Sequence, residues 1–208
     1  QVAIAAVQIV MNNTLRHYGA LSAYGSDIPI ACAGIISKVN QVFMAICIGI
    51  SQGSQPIWGF NYGAEKYSRV RQTYRYSVTL CTVIATIFFI CFQFFPHQIV
   101  GIFGNGSDLY FHFAEKYLRI FMLMTFANGI QPMSAGFFTS MGKARLGVIM
   151  SLTRQVFFLL PLIVIFPVFF GIDGIMYAGP IADTSAFVLA VVFARRELGI
   201  MKAAEQTV

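Results

Sequence analysis

Long apolar stretches, punctuated by glycine, proline and short bursts of charge, run the length of the chain. Six of them are predicted to be helices, at about residues 1–18, 29–60, 76–95, 115–141, 147–170 and 174–194. An α-helix rises 1.5 Å per residue, so about 20 apolar residues match the ~30 Å hydrocarbon core of a bilayer. Each stretch is therefore a candidate membrane span.

The polar residues inside these stretches fall at helical offsets. Gln1, Gln8 and Asn12 lie along one face of the first segment, which reads equally as an interhelical hydrogen-bond seam or as cavity lining. Ser37, Lys38, Asn40 and Gln41 interrupt the second. Thr79, Thr82 and Thr86 mark one side of the third, where helix glue or back-bonding to the preceding turn is expected. Thr125, Asn128 and Gln131 step down one face of the fourth. The fifth contains Pro161 and Pro167, which predict a kink, and Arg154, about 10 Å in from Gly147 and within reach of the interface for a long side chain. The sixth contains Asp183. Residues 19–27 and 171–174 read as turns, and 96–113 as a loop whose Gly101, Gly104, Asn105, Gly106, Ser107 and Asp108 supply turn and cap chemistry.

Composition makes the class firmer. Hydrophobic residues are 57% and charged residues 11%, with a mean hydropathy of +0.71, whereas a soluble domain carries about 25% charge. The chain reads as an all-α integral membrane protein. Its net charge of +6 does not imply nucleic acid, because the cations sit in short loops beside apolar spans. Lys66, Arg69, Arg71, Arg75, Lys143, Arg145, Arg195, Arg196 and Lys202 fall on one side, and Arg16, Lys116 and Arg119 on the other. That asymmetry predicts a multi-pass protein with a cytoplasmic C-terminus, residues 197–208 forming a short tail. Cys32, Cys47, Cys81 and Cys91 lie in apolar stretches without metal-type spacing and read as free, packed thiols. His17, His97 and His112 fall near segment ends and read as interfacial. No phosphate loop, catalytic order or metal cluster is present, so neither an enzyme nor a bound cofactor is expected. The chain opens on Gln1 without a signal-peptide pattern and its first helix starts late, the mark of a fragment.

One device occurs twice. Gln52-Gly53-Ser54-Gln55-Pro56 closes the second segment, and Asn128-Gly129-Ile130-Gln131-Pro132 echoes it in the fourth. Pro56 has no N–H and presses on the carbonyl of Gln52, so the helix is expected to bend there, with Gly59 and Gly63 letting the backbone turn before Lys66. The second copy leads to Gly142, Lys143 and Arg145. Gln55, Pro56, Gln131 and Pro132 are thus candidate kink residues.

The stretch 51–66, Ser-Gln-Gly-Ser-Gln-Pro-Ile-Trp-Gly-Phe-Asn-Tyr-Gly-Ala-Glu-Lys, resembles the eighth-helix signature of the multidrug and toxic compound extrusion (MATE) transporters, in their MepA/DinF-like bacterial branch. Gln131-Pro132 with Gly142-Lys143 resembles the counterpart in the tenth helix, and the likeness runs across nearly all 208 residues. It implies a six-transmembrane-helix bundle over residues 1–196, equivalent to helices 7–12 of a twelve-helix antiporter. The N-terminal lobe would be missing, and the location would be the bacterial inner membrane. It further implies H+- or Na+-driven export of lipophilic, often cationic drugs by alternating access, with lipids, drugs and the missing lobe as partners. Two alternatives stay open: a lipid-linked oligosaccharide or lipid flippase of the same superfamily, and a non-transporting assembly subunit.

Asp183 and Lys38 are the candidates for ion coupling or a charge pair. Each lies about 13 Å, or nine residues, from the same end of its span, and a lone lysine there costs about 2.5–3.5 kcal/mol on insertion scales. Gln8, Asn12, Asn40, Gln41 and Asn128 are candidate cavity residues, with 21 Phe, nine Tyr and nine Met offering a soft wall. In the family the better-established ion-binding carboxylates lie in the first helix, or in the seventh and tenth helices of the NorM-like branch. This chain has Gln8 and Asn12 in the matching seventh helix and no acid in the body of the tenth. The resemblance therefore places the coupling acid in the other lobe, across which Lys38 would pair.

Overall fold

The computed structural model describes residues 2–104 and 106–206. Its α-helices are α1 (Val2–Ala20), α2 (Asp27–Gly63), α3 (Tyr67–Phe94), α4 (Pro96–Phe103), α5 (Asp108–Phe121), α6 (Thr125–Asn128), α7 (Ile130–Ser140), α8 (Ala144–Leu152), α9 (Leu160–Phe170) and α10 (Asp173–Glu205). A π-helical stretch, Thr153–Leu159, joins α8 to α9. With α6 and α7 taken as one rod, and α8 through α9 as another, the described residues form eight rods rather than six.

Both extra rods have local causes. Residues 96–113 are mostly helical, α4 and the start of α5, because Pro96 sits in the first turn of α4, where its missing N–H costs nothing. Ser107 then caps α5, its Oγ accepting from the Tyr110 N–H at 3.3 Å. The fourth segment breaks at 122–124 and again at Gly129. Among the described residues four runs are long and apolar enough to cross a membrane: α2, α3, Ala144–Phe170 and α10.

Large side chains fill the interior, among them Leu15, Phe43, Trp58, Phe113, Tyr117, Phe137 and Phe138. Leu80, Val83, Ile87, Phe94, Val168 and Phe169 point outward, as lipid-facing residues do. Close helix approach is bought by glycine. A Cβ on Gly136 of α7 would strike Ser51 Oγ of α2, and one on Gly174 would strike the backbone at Phe166 and Pro167.

The two Gln-Pro helices end alike. After α2, the Glu65 N–H bonds the Tyr62 carbonyl at 3.1 Å and the Lys66 N–H bonds Asn61 at 2.9 Å; after α7, Gly142 bonds Thr139 at 3.1 Å and Lys143 bonds Phe138 at 3.0 Å. Each is a cap with one left-handed residue, Glu65 (φ 59°) or Gly142 (φ 76°). The turn expected at Gly59 and Gly63 therefore lies further on, since α2 stays helical through both. Ion pairs to α10 follow each cap, from Arg71 near the start of α3 to Glu205 and from Lys143 after α7 to Glu197. At the opposite end Lys116 Nζ meets Asp173 Oδ2 at 2.7 Å, and His97 meets Glu115 at 2.7 Å. Helix α10 runs on through residues 197–205, the stretch expected to be a tail. Among the described residues all four cysteines are free thiols.

Candidate functional site

The two Gln-Pro motifs meet. Ser51 Oγ, one residue before the first motif, donates to the Pro132 carbonyl of the second at 3.0 Å, so α2 and α7 touch where the motifs lie. Beside that contact lies a cavity of about 370 Å³. Its wall on α2 is Met44, Ile48, Ser51, Gln52 and Gln55, the spacing of one helix face. Gln131, Pro132, Ala135, Gly136 and Thr139 form the α7 wall, Ala3 and Ile4 come from α1, and Ser151, Leu152, Arg154 and Gln155 close the far side.

Arg154 has a second neighbour behind the wall. Its Nε donates to Asp183 Oδ1, and Asn128 Nδ2 donates to Asp183 Oδ2 at 3.2 Å. Arg154 is 5% exposed and Asp183 3%, so this is a buried ion pair with both carboxylate oxygens engaged. Such a pair is tolerated only when its hydrogen-bonding capacity is met, which the Asn128 bond helps to do.

Irregular backbone delivers all three groups. Asn128 ends α6 beside the break at Gly129, and Asp183 follows Pro180 by one turn of α10. Arg154 lies on the π-helical stretch, where the Leu160 N–H bonds the carbonyl five residues back, that of Gln155. Pro161 explains the widening: it has no N–H for the Phe157 carbonyl, and its ring crowds that turn. Gln131 Nε2 donates to the Met150 carbonyl at 2.6 Å, pinning α7 to the foot of the widened turn.

The sequence-based candidates separate accordingly. The pairing of Asp183 with Lys38 is not the one found: Arg154 and Asn128 occupy the carboxylate, while Lys38 is exposed on α2 and makes no ion pair among the described residues. Nor does Arg154 snorkel to the interface. Gln8 and Asn12 are half-buried and bonded to each other at 3.4 Å; Gln1 lies outside the described residues, as does Asn105 of the expected loop. Asn40 is half-buried with its Oδ1 unpartnered, and Gln41 is exposed. None of these four lines the cavity, and Asn128 stands behind it.

The motif residues fare differently. Gln55, Gln131 and Pro132 line the cavity. Helix α2 is unbroken through Pro56, and Pro132 is the third residue of α7, where no donor is lost, so the break comes from Gly129 instead. Sequence reasoning missed Gln155 and the role of Arg154. The signal for Arg154 was Pro161, seven residues later, close enough to widen the helix at the arginine.

Broken apolar helices around an amide-lined cavity beside a buried ion pair are an arrangement that membrane transporters use. The MatE family model matches residues 18–165, and the chain belongs to that family. It is 27% identical over 186 residues to multidrug export protein MepA of Staphylococcus saprophyticus, covering 88% of this chain and 40% of that protein. Against MepA of Staphylococcus aureus strain MSSA476 it is 26% identical over 176 residues, with 85% and 37% covered. The chain thus spans about two-fifths of the length of these relatives. Its fold matches the outward-facing structure of a multidrug resistance MATE family transporter of the MOP superfamily with a TM-score of 0.86 at 14% identity, covering 98% of this chain and 44% of that one. An inward-facing structure matches with the same score and identity, covering 46% of its chain.

Proposed function

We propose that the chain is the C-terminal lobe of an ion-gradient-driven antiporter that exports lipophilic drugs, the cavity at the two Gln-Pro motifs being this lobe's share of the substrate cleft. The observation that carries the reading is the convergence of both motifs and Arg154 on one cavity, within a unit that fits outward- and inward-facing transporters equally well, TM-score 0.86 in each case. A lobe that keeps its internal packing while the access state changes is what rocking about a central cleft requires. The ion pairs from Arg71 and Lys143 to α10 tie the start of α3 and the turn after α7 to one helix and favour movement as a body.

In this reading the cation-rich end faces the bacterial cytoplasm, on the positive-inside asymmetry. Lys38, Gln41, Ile48, Gln52 and Gln55 follow one another at helical spacing along α2, so the exposed Lys38 faces the other lobe. The Arg154–Asp183 pair fixes α10 against the widened turn and holds the lobe in shape. The coupling ion, H+ or Na+, binds an acid of the other lobe. Moving one charge down the membrane potential releases roughly 2.3 kcal/mol per 100 mV, the order needed for uphill export. A flippase for lipid-linked oligosaccharides calls for a cation-rich cleft, and Arg154 is the one cation of this wall among the described residues. A passive assembly subunit gains nothing from a buried charge pair and broken helices.

The test uses the full-length protein in proteoliposomes with ethidium as the transported dye. An imposed proton or sodium gradient should drive dye movement, and an ionophore should abolish it. Movement indifferent to either gradient would sink the antiport reading.

A further inference from the structure

The cavity wall is lopsided in charge. Among the described residues it carries one cation, Arg154, four carboxamides, Gln52, Gln55, Gln131 and Gln155, and no carboxylate. The acids are all engaged or placed elsewhere. Asp27 and Asp108 open α2 and α5, and Glu65 lies in the turn after α2. Asp173, Glu197 and Glu205 are in ion pairs and Glu115 is bonded to His97, all at the two ends of the bundle. Asp183 stands behind Arg154, with its oxygens taken by the guanidinium and by Asn128.

The arginine is only partly used. Its Nε is given to Asp183, and its two terminal nitrogens have no protein acceptor among the described residues, while the residue itself is part of the cavity wall. A guanidinium is a planar fork of five donors, suited to a carboxylate or other two-oxygen acceptor. Asp183 and the π-helical backbone hold the fork in place before any ligand arrives, so a ligand bears little of the ordering cost. A lipophilic cation entering the same space meets Arg154 and finds no acid to offset it.

We propose that this half of the cleft binds an anionic or zwitterionic, acceptor-bearing group on the free edge of Arg154, with the lipophilic body of the molecule against Met44, Ile48 and Leu152. Asp183 is a positioning residue, the fixed counter-ion that aims the guanidinium. The inference rests on the transport reading only in taking the ligand to be cargo. It reverses the sign of charge expected from the sequence, where lipophilic cations were favoured.

Equilibrium binding tests it without any gradient. Fluorescein, an anion, and rhodamine 6G, a cation, share a xanthene frame, and fluorescence polarisation reads both on the full-length protein in detergent. Arg154→Gln should weaken fluorescein binding about tenfold, the size of one lost charge-assisted contact, and leave rhodamine 6G unchanged or tighter. That variant strands Asp183, so Arg154→Gln/Asp183→Asn, two neutral groups able to bond each other, serves where the single variant does not fold, and the loss of fluorescein must persist in it. Arg154→Lys should recover part of the affinity. Unchanged fluorescein affinity in the folded double variant overturns the proposal, as does rhodamine binding that weakens when Arg154 is removed. Arg154-dependent fluorescein binding without gradient-driven transport would sink the antiport reading and leave this inference standing; gradient-driven efflux indifferent to Arg154 would do the reverse.

Discussion

The two copies of the Gln-Pro motif are nearly the same in sequence and have been put to different uses. The first lies inside an unbroken 37-residue helix, its Gln52 exposed and its Gly53 facing open space. The second straddles a break: Asn128, its first residue, is bonded to a buried carboxylate, and Gly129 is wedged against two cysteines. Only the caps nine or ten residues after each proline are alike in geometry. A short motif constrains its own backbone weakly, and its neighbours then decide whether it becomes wall or anchor. The first copy is a surface that a ligand or another lobe can reach, and the second is built into the packing.

Seven substitutions and one double variant test these roles, and thermal unfolding of the purified protein in detergent reads all of them. The largest effect belongs to the anchor. Arg154→Met should cost about 3–5 kcal/mol by stranding Asp183, and Arg154→Met/Asp183→Leu should recover most of that loss. A double variant no more stable than the single one would mean that the pair does not stand alone in the network.

Next comes the amide position. Asn128→Leu should lose about 1.5–3 kcal/mol, the value of a buried hydrogen bond to a charged group, whereas Gln52→Leu should stay within about 0.5 kcal/mol. Equal losses would erase the distinction between the copies. The glycines should differ in sign. A Cβ on Gly129 would come within 2.5 Å of Cys81 Sγ and 3.4 Å of Cys47 Sγ, so Gly129→Ala should cost about 1–3 kcal/mol. Gly53→Ala meets nothing within 4 Å and should gain about 0.5 kcal/mol from helix propensity.

The smallest effects lie where the copies agree. Glu65→Gly should raise stability by up to about 1 kcal/mol by relieving a left-handed residue, and Gly142→Ala should lower it by about 1 kcal/mol. If both moved the same way, the two caps would not share one conformation.

Hydropathy was enough to place the chain among apolar helical membrane proteins, and the resemblance of residues 51–66 to a family signature pointed to the family, because each is a property of neighbouring residues. Gln55, Gln131 and Pro132 could be singled out for the same reason, as glycine and proline act on the backbone beside them. The site itself was not local. Asp183 meets Arg154 across 29 residues and Asn128 across 55, and equal depth in two spans did not reveal which faces would meet, so Lys38 was the plausible but unused partner. The exposed face of Lys38 and the widened turn that carries Arg154 follow from how α2, α7 and α10 pack and from Pro161 acting on the turn before it. Sequence alone determined what kind of helices these are and which residues are costly to bury. Tertiary packing decided which costly residues meet, because a buried charge is stable only against a partner whose position depends on the whole bundle.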